Sequence, residues 1–425
     1  MNNAWMRILS ATLVVLPFLV TGCSWLQKKD PPLATLTGTN DSQVGDSGIR
    51  QVDYEEYLDE EGPEVDEFGI ESLSPDNITD TVRQISGFGP DKEIAVEKFA
   101  AGDKLFKAAM QQPEGNKKRN SQLASAAAEY GEAAKRWPES TLEEDALMMV
   151  GECYYFSDQY PEATAAYDGL IKKYRNTRHM DDIADRRYRL ANFWIEKHRA
   201  DPRWTIQPNL TDDMEPRFDT FGSATQLLHQ IRHDDPTNAL ADDAAYAAAA
   251  AYYAKGDYMQ ADLFFSDVRK SYPNSEHQFK AHLLGLMCKL QVYQGPDYDG
   301  QPLEEAEKLV ETIQRQFPRE AAEELEYLEK AAKEVRAKKA ERYWMMADFY
   351  EGRGLYSGTR FHLNKIVKEF PKSSAADNAR RRLAEIRDKP EKPPQRFKWL
   401  ADLFPKHQPQ QRPYLANTFI EPYFR

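Results

Sequence analysis

A chain of 425 residues with 69 acidic and 56 basic side chains has a formal net charge of -13, which disfavours nucleic acid as a partner. A mean hydropathy of -0.73, with 29% charged residues, excludes a protein that crosses a membrane several times. The 41% of hydrophobic residues still allow a sizeable core.

The first predicted element is a signal peptide over residues 1–22. Arg7 precedes an apolar run over residues 8–20, which is too short to span a bilayer as a finished helix and suits a signal-peptide core. The run ends in Val-Thr-Gly-Cys, which resembles the bacterial lipobox and implies lipid attachment at Cys23. The following Ser24 implies, by the sorting pattern of such lipoproteins, anchoring in the outer membrane facing the periplasm, with retention in the inner membrane as the alternative. An ordinary signal peptide, or a short anchor with an incidental cysteine, is the alternative.

Residues 23–90 are predicted to be a lipidated N-terminus followed by a disordered acidic linker. Within them, residues 51–67 hold nine acids and no base. Such a composition cannot bury enough apolar surface to offset the entropy of ordering. The linker is interpreted either as a plain spacer or as a segment that docks on a basic partner through Tyr54, Tyr57 and Phe68.

Residues 91–388 contain an internal repeat. Within the stretch 152–176, residues 153–176 match residues 251–274 at an offset of 98 residues, which aligns Tyr155 with Tyr253 and Tyr167 with Phe265. Its second half recurs six times as a small residue, a large residue four places on, an apolar residue seven places on and a proline twelve places on. The six occurrences begin at Ala126, Ala163, Ala224, Ala261, Ala306 and Thr359, and Arg175 replaces the proline once. The spacing places three side chains on one helical face, and proline ends the helix.

A partner helix precedes each such helix and carries a small residue, Gly151 in one copy and Ala249 in another. Together the two helices resemble the tetratricopeptide repeat, W-x2-L-G-x2-Y…A-x3-F…P, without its first aromatic residue. This resemblance implies an all-α, right-handed superhelical solenoid of about six helix pairs with a closing helix at residues 374–388. Residues 111–120, 201–218 and 295–300 are predicted to be loops between helices.

The tail, residues 389–425, is proline-rich and amphipathic. It is interpreted either as a strap over the last repeat or as an exposed peptide for a partner or a membrane surface.

No catalytic motif and no ligand spacing for a metal or cofactor stands out, so the chain is predicted not to be an enzyme. The segment His233-Asp234-Asp235 is interpreted as a solvated helix end. Cys153 and Cys288 are interpreted as buried thiols, with a disulfide between them as the alternative.

Tetratricopeptide geometry implies a concave groove lined by the first helix of each pair. The predicted groove-facing residues are Met148, Glu152, Tyr155, Tyr246 and Tyr253. Aromatic and methionine side chains suit extended or helical peptides. Packing between repeats is the competing interpretation for each of them.

A lipobox followed by A-x3-Y…P repeats resembles the BamD-type outer-membrane assembly lipoproteins. The resemblance implies a non-catalytic scaffold that binds an Omp85-type barrel assembly protein or unfolded segments of outer-membrane β-barrel proteins. The main alternative is a tetratricopeptide-repeat lipoprotein adaptor for cell-envelope division, secretion or pilus assembly. A carrier or enzyme subunit for envelope polysaccharide is a third hypothesis.

Overall fold

A computed structural model describes Tyr57, residues 89–393 and Trp399, and within these residues it contains fourteen helices and no strand. The helices are α1 (Lys92–Met110), α2 (Lys117–Arg136), α3 (Thr141–Phe156), α4 (Tyr160–Lys173), α5 (Met180–Ala200), α6 (Thr220–Asp234), α7 (Ala241–Lys255), α8 (Tyr258–Ser271), α9 (Gln278–Val292), α10 (Gln301–Gln316), α11 (Pro318–Glu323), α12 (Leu325–Glu351), α13 (Tyr356–Glu369) and α14 (Ser374–Glu385). The predicted signal peptide, Cys23 and nearly all of the linker and tail lie outside the described residues. The predicted all-α class is confirmed.

In chain order the helices form the six predicted pairs, with α14 as the closing helix and α11 as an addition. All eighteen small, large and apolar residues of the repeated pattern are buried, in α2, α4, α6, α8, α10 and α13. Burial of this stripe stabilises each second helix against its neighbours, because an isolated helix of 14 residues, such as α4 or α8, is only marginally stable in water.

The ends of the second helices follow one rule. The residue just before the proline position caps each helix, and its backbone N–H donates to the carbonyl of the pattern's apolar residue, as from Trp137 to Ala133 at 3.2 Å and from Tyr272 to Val268 at 3.2 Å. The same capping bond occurs in the pair in which Arg175 replaces the proline, from Tyr174 to Leu170 at 2.8 Å. The capping bond is therefore formed with or without proline at the next position.

Three details of the predicted elements are wrong. The closing helix ends at Glu385, so residues 386–388 are not part of it. Pro318 was expected only to stop α10, but it also opens α11, because the missing N–H of proline costs nothing in the first helical turn. The segment 111–120 is a loop only up to Asn116, which caps α2 by accepting a bond from the backbone of Lys118.

A glycine allows close approach of the helices in the first two pairs. A Cβ atom placed at Gly151 would lie 2.4 Å from Cε1 of Tyr167, and one at Gly102 would lie 2.9 Å from the ring of Tyr130. In each case the aromatic ring of the second helix lies directly on the backbone of the first. Any larger residue would displace the ring or move the two helices apart.

The described residues divide into two compact units between Ala281 and His282, inside α9. The predicted boundaries at residues 22, 90 and 388 stay predictions. In the described part of the chain, Cys153 and Cys288 are buried and neither forms a disulfide. None of the helices described is both long enough and apolar enough to cross a membrane.

The first residues of the predicted tail lie against the last helix pair. The backbone N–H of Ser357 donates to the carbonyl of Glu391 at 3.3 Å, and the guanidinium of Arg360 donates to that of Lys389 at 3.2 Å. Trp399, farther along, is exposed.

Candidate partner-binding surfaces

Three of the predicted groove residues lie on one face of α3. Met148, Glu152 and Tyr155 follow one another at helical spacing, and Asp145 continues the same face one turn earlier. Met148 and Glu152 are each only 5% exposed, whereas Tyr155 is half-buried. The periodicity therefore identifies the face, but most of it is covered by other parts of the chain.

Glu152 is held by side chains from the next two helices. It accepts a hydrogen bond of 2.6 Å from the hydroxyl of Tyr167 on α4, and Arg186 on α5 donates to both of its oxygens, at 3.0 and 2.9 Å. The guanidinium of Arg186 also lies 4.7 Å from the ring centre of Tyr155. Burial would lower the pKa of Arg186, but the bond to Glu152 outweighs it and the pKa is raised. These contacts join three successive helices and leave Glu152 little capacity for an outside ligand.

The two predicted residues on α7 also point inward. Tyr246 is fully buried, and its ring stacks on that of His277 with 4.2 Å between centroids. Tyr253 is buried too, in an edge-on contact of 5.5 Å with Tyr258. Packing within the repeats thus accounts for four of the five predicted residues. A role for any of the five in binding a partner stays a prediction.

A contact between an aspartate and a histidine, which was not predicted from the sequence, occurs twice. Asp145 lies 2.6 Å from His179, and Asp243 lies 2.6 Å from His277, in each case 34 residues apart. The second contact lies 98 residues after the first, which is the repeat offset. The recurrence of a histidine at this offset, as His179 and His277, is the sequence pattern from which the contact could have been predicted.

The residue that precedes the histidine has opposite charge in the two copies. Beside His179 stands Arg178, which donates to Asp145 at 2.9 Å, whereas Glu276 takes the equivalent position beside His277. Burial acts to raise the pKa of Asp145, but hydrogen bonds from His179 and Arg178 hold it below its ordinary value. Burial likewise acts to lower the pKa of His179, but its bond to Asp145 raises it to about 9.

Asp243, Glu276 and His277 bring three possible ligand atoms within 4.8 Å of one another. The ring nitrogen Nε2 of His277 that faces Asp243 is already engaged in the 2.6 Å contact. The cluster is therefore explained by packing between helices and is assigned no metal.

A long loop joins α5 to α6 and presents apolar side chains to solvent. Trp204, Ile206 and Leu210 are 78%, 77% and 74% exposed. Bonds to α5 hold the loop, with Trp194 donating to the carbonyl of Met214 at 2.7 Å. The sequence identified this segment only as a loop, since exposure of apolar residues inside it depends on the surrounding fold.

The second unit contains a groove of about 1350 Å³ bounded by α10, α12, α13 and α14. Half-buried aromatic side chains, Tyr343 and Trp344, form part of its wall. The ammonium of Lys339 lies 2.7 Å from Glu307 and 3.8 Å from Glu369 inside it. A wall of aromatic rings and charges of both signs suits a peptide segment better than an anionic polymer.

Helix pairs in which a small residue of the first helix meets an aromatic ring of the second are typical of tetratricopeptide repeats. Residues 145–177 match the tetratricopeptide repeat family. Residues 214–389 match the YfiO family, described as an outer membrane lipoprotein. The resemblance to BamD-type tetratricopeptide-repeat lipoproteins is thereby confirmed over these two segments. No curated protein matches the sequence.

Proposed function

We propose that the protein is a non-catalytic, BamD-like scaffold. It is anchored through a lipid on Cys23 in the outer membrane, faces the periplasm and binds protein partners during assembly of outer-membrane β-barrel proteins. The two matched families are generally non-enzymatic scaffolds, and the YfiO match carries the outer-membrane assignment.

The observation that carries the proposal is the groove of the second unit. It lies inside the matched residues 214–389 and is large enough for several side chains of a bound segment. Its partner is proposed to be an Omp85-type barrel assembly protein or an unfolded segment of an outer-membrane protein. Both would present a polypeptide to aromatic rings and to charges of both signs.

The test places a photo-crosslinking amino acid at Lys333 or Lys372, two exposed positions on the groove wall. Leu263, exposed on α8 in the first unit, is the matched control position. We expect the two groove positions to crosslink an Omp85-type protein or outer-membrane β-barrel chains in intact cells, and the control position not to do so.

Recovery of division proteins, secretin subunits or pilus proteins from the groove positions would replace the barrel-assembly role by the adaptor role. Equal recovery from Leu263 and from the groove would show that the groove is not the binding surface.

A further inference from the structure

Tyr57 is buried in the repeat domain although it belongs to the acidic linker. The residue is 1% exposed and is part of the core cluster that α1, α2 and α3 build. Around it in the sequence, residues 51–67 hold nine acids and no base, a composition that predicts disorder. A buried aromatic residue in such a segment requires a specific site that holds it.

Two first helices supply that site. The ring of Tyr57 meets the ring of Phe99 on α1 edge-on, with 5.7 Å between centroids, and Phe99 is itself fully buried. The hydroxyl of Tyr57 donates a hydrogen bond to Oδ2 of Asp145 on α3. An aromatic wall and a charged acceptor at its end are complementary to a tyrosine, because they satisfy both its ring and its hydroxyl.

Asp145 is prepared for this bond by its other neighbours. His179 lies 2.6 Å from Oδ1, and Arg178 donates to the same oxygen at 2.9 Å. With these positive neighbours the carboxylate stays ionised when buried, and an ionised acceptor binds a hydroxyl more strongly than a neutral one.

The copy of this carboxylate in the fourth pair is more open to solvent. The side chain of Asp243 is 28% exposed, whereas that of Asp145 is 11% exposed. Tyr57 is one of the groups that cover Asp145, so the difference agrees with a linker residue seated on only one of the two copies.

We propose that Phe99 and Asp145 form an intramolecular attachment site whose occupant is Tyr57, so that the acidic linker is fastened to the first two helix pairs. This role differs from docking on a basic outside partner, because Tyr57 is already bound within its own chain. The attachment does not depend on which partner the protein serves.

The test is nitration of tyrosine in the intact protein, measured at each residue by mass spectrometry. Tyr298, which is 58% exposed, serves as the internal reference for a freely accessible ring. We expect Tyr57 to react at least about tenfold more slowly than Tyr298, because reaction requires the attachment to open. Equal rates for the two residues in the unaltered protein would overturn the proposal.

Asp145→Ala removes the acceptor, and Asp243→Ala makes the same change in the equivalent copy. We expect Asp145→Ala to speed nitration of Tyr57 by roughly tenfold, the factor associated with a hydrogen bond to a charged acceptor, and Asp243→Ala to leave it unchanged. Equal acceleration by both variants would point to general loosening and would count against the attachment site.

If Asp145→Ala fails to fold, the variant Tyr57→Phe tests the proposed hydrogen bond instead. It keeps the ring on Phe99 and loses only the hydroxyl, so the protein should unfold at lower urea concentration than the Tyr298→Phe control. An identical midpoint for these two variants would contradict the proposed bond.

Discussion

The hydroxyl of Tyr167 donates a 2.6 Å hydrogen bond to Glu152, the residue next to the glycine that lies under its ring. The first pair repeats the arrangement, with Tyr130 donating to Asp103 at 2.6 Å beside Gly102. In the fourth pair the equivalent positions hold Phe265 and Ala250, so the hydroxyl and the carboxylate are absent together. A buried carboxylate without a donor would be costly, which explains why the two change together.

Close packing at Gly151 predicts a large effect of one methyl group. Gly151→Ala should lower the free energy of unfolding by about 1–3 kcal/mol, because the new Cβ would lie 2.4 Å from the ring of Tyr167. Gly169→Ala in the neighbouring α4 is the control, since its Cβ would meet no atom within 4 Å. That control should gain roughly 0.5–1 kcal/mol from helix propensity. Urea unfolding followed by circular dichroism gives both values, and a neutral Gly151→Ala would contradict the packing described.

The buried bond between Glu152 and Arg186 predicts a compensation. Glu152→Ala alone should cost about 3–5 kcal/mol, because it leaves the guanidinium of Arg186 buried with only the 3.5 Å contact to Asp185 in place of its bonds to Glu152. Adding Arg186→Leu should recover part of that loss, since it removes the buried charge and gives the two positions the residue types found 98 positions later, Ala250 and Leu284, while the hydroxyl of Tyr167 stays without its acceptor. A double variant as unstable as the sum of both single variants would show that the two residues act independently.

The acid–histidine contact predicts a dependence of stability on pH. The pKa of His179 rises from 6.5 to about 9 on folding, so its stabilising contribution is complete below pH 6.5 and is lost as the pH rises through 9. The charged groups facing it are Asp145, Arg178 and Asp182. The loss should be on the order of 3 kcal/mol.

His179→Gln should flatten this alkaline decline, whereas His233→Gln, at an exposed helix end, should leave it unchanged. The free energy of unfolding measured between pH 6 and pH 10 distinguishes the two. A decline that survives in His179→Gln would assign it to another group.

The proposed lipid attachment at Cys23 predicts that removal of this thiol abolishes membrane association. Cys23→Ala should abolish fatty-acid labelling and release the protein from membranes, because the thiol is the proposed site of acylation. Cys153→Ala is the control, since that thiol is buried in α3 and should leave labelling intact. Unchanged labelling of Cys23→Ala would refute the lipobox interpretation.

Local spacing was sufficient to predict the helix pairs, because the relevant contacts lie within one repeat. The ring of Tyr167 and the backbone of Gly151 are only 16 residues apart, and their spacing follows from two helices joined by a short turn. Recurrence at an offset of 98 then extended the prediction along the chain.

The depth of burial could not be predicted in the same way. Helical periodicity places Met148, Glu152 and Tyr155 on one face, but Arg186 from α5 covers part of it. Contacts across 34 residues depend on how successive pairs stack. The composition of the linker likewise does not predict the burial of Tyr57. A single aromatic side chain changes the mean hydropathy of the segment little, and the pocket that holds it forms only when the helices pack.

Seating Tyr57 on the first two pairs also changes how far the protein can extend from the bilayer. If Cys23 carries the proposed lipid, about 34 residues separate the membrane from Tyr57, and at ~3.5 Å per residue they can span at most about 120 Å. Without that attachment the connecting segment would extend to the start of α1, and its greatest length would be about twice as large. Opening the Tyr57 contact would therefore roughly double the greatest distance at which the scaffold can lie from the lipid surface.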